Sequence, residues 1–225
     1  MTALEVCVIG GEGRLASAIC QVAEECDARV VINVGSADSS PNSSQNFDVV
    51  IDASSSEGSR RATEIAINKG VPLIVCTTGF GNAEKNLFED ASQSIPVILA
   101  PNTSPGVSIL AELVQIARSK AIDWEVKIEE THHEKKKDKP SGTARFFAEV
   151  LQTASSDSSV SVPIHADRIG DITGRHTIIF SAQDEVIRLE HESLDRSLFG
   201  RGAIRAAKWL VNRPPGMYTM SDTFT

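Results

Sequence analysis

Residues 4–16 read LEVCVIGGEGRLA, and this stretch decides the fold predicted for the first half of the chain. Residues 4–10 are mostly apolar and β-branched, which is typical of a buried strand. Gly11, Gly13 and Ala16 follow at the spacing G-x-G-x-x-A and open a segment with apolar residues at helical spacing. The glycines permit a sharp turn, and the start of the next helix attracts phosphate groups. The stretch therefore predicts a dinucleotide site, although a tight turn without a ligand is the alternative.

The first hundred residues continue this alternation of strands and helices. Further strands are predicted at 29–35, 47–54, 71–78 and 95–102, with helices at 15–25, 57–69 and 81–93. The polar residues 36–46 are predicted to form a loop. Because strands that alternate with helices pair in parallel through right-handed crossovers, we predict a Rossmann-like parallel-sheet cofactor domain over residues 1–104.

The pattern changes after residue 104. Helices are predicted at 104–121, 141–153 and 198–211, a strand at 124–133 and an antiparallel pair at 176–194. Several of these strands alternate apolar and polar residues, as strands with one solvated face do. We therefore predict an α+β mixed-sheet domain over residues 105–203.

Composition limits the class of protein. The chain has 225 residues, a formal net charge of −8 and 41% hydrophobic residues, which is typical of a globular protein and argues against a nucleic-acid partner. No apolar run approaches the ~18 residues of a membrane span, and the first residues do not resemble a signal peptide. The four cysteines lack the spacing of metal ligands. We therefore expect a cytoplasmic protein with no membrane contact and no metal.

An unusual cluster occupies residues 130–144, ETHHEKKKDKPSGTA. His132 and His133 can exchange protons near neutral pH, and Lys136 can pair with a carboxylate. Ser141 is a natural N-cap, so we expect the first backbone amides of a helix, at Gly142 and Thr143, to bind an anion. A solvated charge run and a surface histidine pair are the alternatives for these residues.

The end of the second predicted strand bears on the choice of cofactor. An acidic residue there favours NADH, whereas a nearby arginine favours the 2′-phosphate of NADPH. The strand ends Val34-Gly35-Ser36, and Asp38 is the nearest acid. We therefore expect weak discrimination between NADH and NADPH.

Residues 130–144 closely resemble the signature E-x-H-H-x-x-K-x-D-x-P-S-G-T-A of the 4-hydroxy-tetrahydrodipicolinate reductase family. The resemblance extends along the chain through residues 4–16, 76–80 (CTTGF), 100–107 (APNTSPGV), 167–180 and 220–222. It implies NAD(P)H-dependent reduction of 4-hydroxy-tetrahydrodipicolinate to tetrahydrodipicolinate, a step of lysine and diaminopimelate biosynthesis. It also implies a homotetramer formed through the sheet of the second domain, and a first domain completed by residues 204–225.

The same resemblance implies roles for individual residues. His132 would be the acid/base and Lys136 its charge-pairing and proton-handling partner, while His133, Gly142 and Thr143 would hold the carboxylates of a small dicarboxylate substrate. The implied cofactor contacts are Gly10, Gly11, Glu12, Gly13, Arg14, Leu15, Cys76, Thr77, Thr78, Ala100, Pro101, Asn102 and Thr103. Departures from the family pattern are Glu12, Ala16, Lys139 and a short region 35–47.

Two other functions are compatible with parts of this pattern. One is a different two-domain NAD(P)-dependent dehydrogenase that acts on an amino acid, which turnover on amino acids would reveal. The other is a non-catalytic dinucleotide sensor, which would bind cofactor without reducing any substrate and would not need His132 or Lys136.

Overall fold

The computed structural model describes residues 3–38, 41, 44–155 and 161–224. By residue contacts the chain divides into two compact units, Met1–Pro105 with Ser197–Thr225, and Gly106–Arg196. Four residues of the predicted loop 36–46, at positions 39, 40, 42 and 43, lie outside the described part of the chain.

The first unit contains a six-stranded sheet in which every neighbouring pair is parallel. Its strands are β1 (Leu4–Ile9), β2 (Ala28–Val34), β3 (Val49–Asp52), β4 (Leu73–Val75), β5 (Pro96–Leu99) and β10 (Gly216–Tyr218). The spatial order is β10-β5-β4-β3-β1-β2. Its helices are α1 (Arg14–Val22), α2 (Ser56–Lys69), α3 (Asn82–Ser92) and α6 (Ser197–Leu210).

Helices cover both faces of this sheet. Val6 and Val8 of β1 belong to a core that includes residues of α1 and α6. Cys7 and Ile9, which point to the opposite face, belong to a second core with residues of α2 and α3. Strands that are buried on both faces read as continuous apolar runs, which explains why they were recognised in the sequence.

The second unit is built on a four-stranded mixed sheet in the order β7-β6-β8-β9. Its elements are α4 (Pro105–Lys120, whose first residue belongs to the first unit), β6 (Glu125–His132), α5 (Gly142–Thr153), β7 (Ile164–Arg168), β8 (Gly174–Ser181) and β9 (Val186–Ser193). β6 pairs with β7 in parallel and with β8 antiparallel. Ile128 and Ile178 of the sheet share a core with Val114 of α4 and Phe147 of α5.

The predicted fold class is confirmed by these two sheets. Two strands were not predicted. β10 has only three residues and begins with a glycine, and the five residues of β7 include three charged or polar side chains. Such short segments carry too little hydrophobic periodicity to be recognised locally. In the described part of the chain, no helix is both long and apolar enough to cross a membrane.

Candidate functional site

The glycine turn between β1 and α1 lies at the carboxyl edge of the parallel sheet. Gly11 has φ of 55°, and a Cβ on it would stand 2.9 Å from the Cα of Gly35, just after β2. A Cβ on Gly10 would stand 2.6 Å from the carbonyl oxygen of Ala53, just after β3. The turn is therefore packed so closely on its neighbouring loops that neither glycine can carry a side chain without a shift of the backbone.

A cleft of about 670 Å³ opens beside this turn. Four predicted cofactor residues, Gly10, Gly11, Glu12 and Gly13, contribute to its lining. The loops after β2 and β3 contribute Asp38 and Ser54, among others, and α2 contributes Arg61. Bare glycine backbone at the start of a helix, with polar loops around it, fits the pyrophosphate and ribose of a dinucleotide.

A smaller cleft of about 440 Å³ brings together four further predicted residues, Leu15, Cys76, Thr77 and Thr78. It shares Ala53–Ser55 with the larger cleft. Burial, followed by the charge of Asp52, raises the pKa of the Cys76 thiol. Cys76 is therefore a neutral lining residue at physiological pH.

The buried carboxylate of Asp52 joins the loops around the two clefts. It accepts hydrogen bonds from the amide and hydroxyl of Ser54 and from the hydroxyl of Ser59. The amide of Ser54 also donates to Thr77 Oγ1 at 3.0 Å. Burial raises the pKa of Asp52, and its hydrogen bonds oppose that shift. Asp52 thus holds the ends of β3 and β4 in a defined arrangement.

The other predicted cofactor residues line neither cleft. The side chain of Arg14 is exposed at the start of α1. Ala100–Thr103 follow β5 at the same carboxyl edge of the sheet. There the hydroxyl of Thr103, which is 2% exposed, donates to the carbonyl of Phe199 at 2.8 Å.

Arg61 was not anticipated from the sequence. Its Nη1 donates to the carbonyl of Gly35 at 3.2 Å and its Nη2 to that of Asp38 at 2.6 Å. The Asp38 carboxylate in turn accepts from the amide of Gly35 at 2.6 Å. Arg61 lies inside a predicted helix, and the local sequence carries no signal of this role. Ser54 and Ser55 could have been predicted as lining residues, because they follow a predicted strand at the cofactor edge of the sheet.

In the second unit, a buried polar cluster forms around His132, the last residue of β6. Strand pairing sets Glu130 opposite His176 of β8 and His132 beside Arg168 of β7. The Glu130 carboxylate accepts from the amide of Ser141 at 2.9 Å and from Arg168 Nη2 at 3.2 Å. Its second oxygen lies 3.3 Å from His132 Nδ1 and 3.5 Å from His176 Nε2.

The cluster holds two groups with shifted pKa values. Burial alone would raise the pKa of Glu130, but contacts with His132, His176 and Ser141 outweigh it and hold the pKa well below 4.5. Burial lowers the pKa of His176 below 6.5, against the opposing effect of Glu130. At neutral pH Glu130 is therefore ionised and His176 is uncharged.

Lys136 and Arg168 shape the loop between β6 and α5. Lys136 is half-buried, and its Nζ lies 2.9 Å from Asp138 Oδ1, whereas Lys135 and Lys137 are exposed. Arg168 donates to the carbonyls of Lys136 and Asp138 as well as to Glu130. Arg168 thus ties the lysine-bearing loop to the buried carboxylate.

The start of α5 matches the predicted cap. Ser141 Oγ accepts from the amide of Ala144 at 3.1 Å and lies 3.1 Å from His176 Nε2. Gly142 and Thr143 are the first two residues of the helix. Arg145, which was not predicted, donates to the carbonyl of Pro140 and adds a positive charge at this helix start. His133 is buried directly after β6.

Glu130, His132 and His176 also form a group of possible metal ligands, with atoms within 4.8 Å of one another. The sequence separates His176 from the other two by more than forty residues, so spacing alone did not reveal the group. The absence of a metal stays a prediction.

Comparison with known proteins identifies relatives along nearly the whole chain. Residues 4–103 match the family model "Dihydrodipicolinate reductase, N-terminus", and residues 106–224 match "Dihydrodipicolinate reductase, C-terminus". The 4-hydroxy-tetrahydrodipicolinate reductase of Syntrophus aciditrophicus (strain SB) is 40% identical over 78% of this chain and 72% of its own length. That of Zymomonas mobilis is 33% identical over 98% of this chain and 97% of its own length.

Solved structures show the same fold at lower identity. A dipicolinate-bound dihydrodipicolinate reductase from Paenisporosarcina sp. TG-14 matches with a TM-score of 0.75 and 20% identity, covering 96% of this chain and 97% of its own. Aspartate dehydrogenase from Thermotoga maritima matches with a TM-score of 0.52 and 15% identity, covering 91% of this chain and 95% of its own.

Proposed function

Because the chain belongs to the dihydrodipicolinate reductase family, we propose that it reduces 4-hydroxy-tetrahydrodipicolinate to tetrahydrodipicolinate with NADH or NADPH. The reaction removes one water from the hydroxylated ring and adds one hydride and one proton. The observation that carries the proposal is the buried cluster at the end of β6, which places a histidine, a half-buried lysine and a helix start within one short segment.

We assign delivery of the proton to His132. Its imidazole is buried, and its Nδ1 lies 3.3 Å from the carboxylate of Glu130. A histidine held in this way can act as a general acid near neutral pH. Nicotinamide, when bound, supplies the hydride.

The carboxylates of the substrate are assigned to Lys136, His133, Gly142 and Thr143. Lys136 is paired with Asp138 at 2.9 Å, so a substrate carboxylate would replace Asp138 as its partner. The positive end of α5 lies at Gly142 and Thr143 and adds a second attraction for anions. Holding both carboxylates would orient the ring toward the donor groups.

The cofactor is assigned to the two clefts of the first unit. The glycine turn supports binding of the pyrophosphate, and the residues that line the smaller cleft support binding of the nicotinamide half. Asp38 and Arg61 lie together at the ribose end, which supports use of both NADH and NADPH. We expect the two cofactors to differ in kcat/KM by no more than about tenfold, or ~1.4 kcal/mol.

The two units are assigned different tasks. The unit with the parallel sheet, including residues 1–104 and the C-terminal segment, would bind cofactor. The unit with the mixed sheet would bind substrate and form a homotetramer.

The test is a direct assay of the purified protein. Oxidation of NADH and of NADPH is followed with freshly generated 4-hydroxy-tetrahydrodipicolinate, and reduction of NAD⁺ and NADP⁺ is followed with amino acids as the alternative substrates. Dipicolinate, a planar dicarboxylate that cannot accept the hydride in the same way, is expected to compete with the substrate. Turnover on amino acids alone would show a different dehydrogenase, and cofactor binding without any turnover would show a sensor.

A further inference from the structure

The sequence suggested no role for Glu130, although it lies at the centre of the buried cluster. It is 2% exposed, and burying a carboxylate is costly unless its charge is compensated. Arg168 and the amide of Ser141 occupy one carboxylate oxygen. The other oxygen, Oε2, is directed at two imidazole rings rather than at backbone or solvent.

The two rings do not compete equally for this oxygen. His176 Nε2 lies 3.5 Å from Oε2 and also 3.1 Å from the hydroxyl of Ser141, so it has a neutral partner. His132 Nδ1 lies nearer to Oε2, at 3.3 Å, and both atoms are buried with no other hydrogen-bond partner among the described residues. An ionised carboxylate only accepts hydrogen bonds, so it favours a proton on Nδ1 of His132.

The opposite edge of the His132 ring lies beside the bare backbone of Gly174. A Cβ on Gly174 would stand 2.9 Å from Nε2 and 3.2 Å from Cδ2. A side chain at 174 would therefore push the ring away or cover Nε2. Glu130 therefore lies at one nitrogen of the imidazole, and the bare backbone of Gly174 leaves the other nitrogen, Nε2, uncovered on that side.

We propose that Glu130 is a positioning residue, which holds Nδ1 of His132 and thereby makes Nε2 the atom that delivers the proton. This inference rests on the proposed function, in which His132 is the general acid. The groups that face His132 are Glu130 from its own strand, His176 and Gly174 from β8 and Arg168 from β7. His191 of β9 is paired with His176 across the sheet, and burial lowers its pKa below 6.5.

A metal ion bound by Glu130, His132 and His176 is the competing explanation of the same geometry. Two observations favour the positioning role. The guanidinium of Arg168 already balances the carboxylate charge, and Ser141 already contacts His176 Nε2. A bound metal would also occupy Nδ1 of His132 and displace the proton placed there.

The first experiment compares Glu130→Gln with wild type. Glutamine keeps the size of the side chain and can still accept from Ser141, but it removes the charge. We expect kcat to fall between about tenfold and 10⁴-fold, the range seen when an orienting partner of a functional histidine is lost. KM for the substrate and the Kd for NADH should change less than threefold, and the pH above which kcat declines should move to lower values. Glu130→Asp should recover part of the loss.

Glu129→Gln is the matched control. Glu129 is the preceding residue of β6, is 44% exposed and pairs with Lys127 on the surface. It should leave kcat and its pH dependence unchanged. A loss of kcat in Glu130→Gln with an unmoved pH profile, or a rise in KM alone, would show that Glu130 acts only structurally and would overturn the proposal.

A second measurement does not depend on the folding of Glu130→Gln or on the identity of the substrate. Nitrogen NMR of the wild-type protein with labelled histidine, assigned with His132→Gln, reports which nitrogen of His132 carries the proton. The proposal requires the Nδ1–H form when the ring is neutral. An Nε2–H form, or activity that is lost with a chelator and restored by zinc, would overturn it. If the wild type lacks turnover but shows the Nδ1–H form, the proposed function alone has failed.

Discussion

Among single residues, the three consecutive lysines 135–137 differ in burial, and this difference predicts a difference in function. Lys136→Ala removes a half-buried charge paired with Asp138, so kcat should fall and KM should rise.

His132→Gln keeps the bulk of the side chain but cannot deliver a proton, so kcat should fall roughly 10²–10⁴-fold. Steady-state kinetics on all variants is the measurement.

Lys135→Ala and Lys137→Ala are the controls for that series. Both lysines are exposed, and each variant should change kcat/KM by less than about threefold. NADH binding should survive in all four proteins. If either exposed lysine proves as costly as Lys136, the loop acts through diffuse positive charge rather than through one placed ammonium.

The pair formed by Asp38 and Arg61 predicts opposite effects on the choice of cofactor. Asp38→Asn removes a charge that repels a 2′-phosphate, so the ratio of kcat/KM should shift toward NADPH. Arg61→Ala removes the guanidinium next to Asp38, so the ratio should shift toward NADH. Each shift should be roughly tenfold, or ~1.4 kcal/mol.

Arg60→Ala is the matched control for Arg61. Arg60 is the adjacent residue, pairs with Glu84 at 2.7 Å and does not line the cofactor cleft. It should leave the ratio unchanged. Equal effects of the two arginines would remove the reason to assign cofactor discrimination to Arg61.

Among the structural elements, the turn between β1 and α1 can be tested by comparing Gly11 with Gly70. Both glycines have a positive φ, but only Gly11 also lies in close contact with a neighbouring loop. Gly11→Ala places a residue at φ 55° and a Cβ 2.9 Å from Gly35, so it should lose stability and weaken NADH binding at least tenfold. Gly70 ends α2 at φ 65°, and a Cβ added there by Gly70→Ala would meet no atom within 4 Å. It should cost about 1 kcal/mol of stability and leave the Kd for NADH unchanged. Thermal unfolding and cofactor titration measure the two effects, and a normal Kd in Gly11→Ala would contradict the role of the turn.

For the whole molecule, buried titratable groups predict acid sensitivity of the second unit. The unfolded chain binds protons more readily than the folded protein at His176 below pH 6.5 and at Glu130 below pH 4.5. Acid therefore lowers the free energy of unfolding across this range. Glu130→Gln removes the group that takes up a proton below pH 4.5. In that range, the slope of the free energy of unfolding against pH should therefore be shallower in this variant by up to about 1.4 kcal/mol per pH unit.

Tryptophan fluorescence can follow that unit separately. The chain has two tryptophans, Trp124 in the second unit and Trp209 in the first. Trp209→Phe leaves Trp124 as the only tryptophan reporter. Glu149→Gln, which removes an exposed carboxylate on α5, is the control. Its free energy of unfolding should depend on pH with the same slope as in the parent protein. Identical slopes in all variants would show that Glu130 does not govern acid unfolding.

The proposed homotetramer is also a prediction for the whole molecule. β9 is an edge strand of eight residues with a largely exposed surface, and exposed edges of this length are usually covered. Sedimentation should give a mass about four times 24.1 kDa. Ile187→Lys on β9 should dissociate the assembly, whereas Ile67→Lys on α2, at the same 41% exposure, should not. A tetramer that survives Ile187→Lys would place the interface elsewhere.

The local sequence pattern was sufficient to predict a structural feature wherever the interactions that cause that feature lie within a few residues of one another. The strand, turn and helix of residues 4–16 follow from hydrophobic periodicity and glycine spacing. The cap at Ser141 and the end of α2 at Gly70 follow from hydrogen bonds that span three or four residues. These features, and the fold class with them, were determined by the sequence itself.

Only the tertiary structure decided which distant residues meet. His176 faces Glu130 because β8 pairs with β6 in one register, and a shift of one residue would turn His176 to the other face of the sheet. Arg61 reaches Asp38 across a crossover, and β10 joins β5 after more than a hundred residues. Such contacts depend on strand register and chain crossing, which no local pattern encodes. The sequence alone could therefore propose His132 and Lys136 as candidates, but it gave no sign of the carboxylate of Glu130 beside His132.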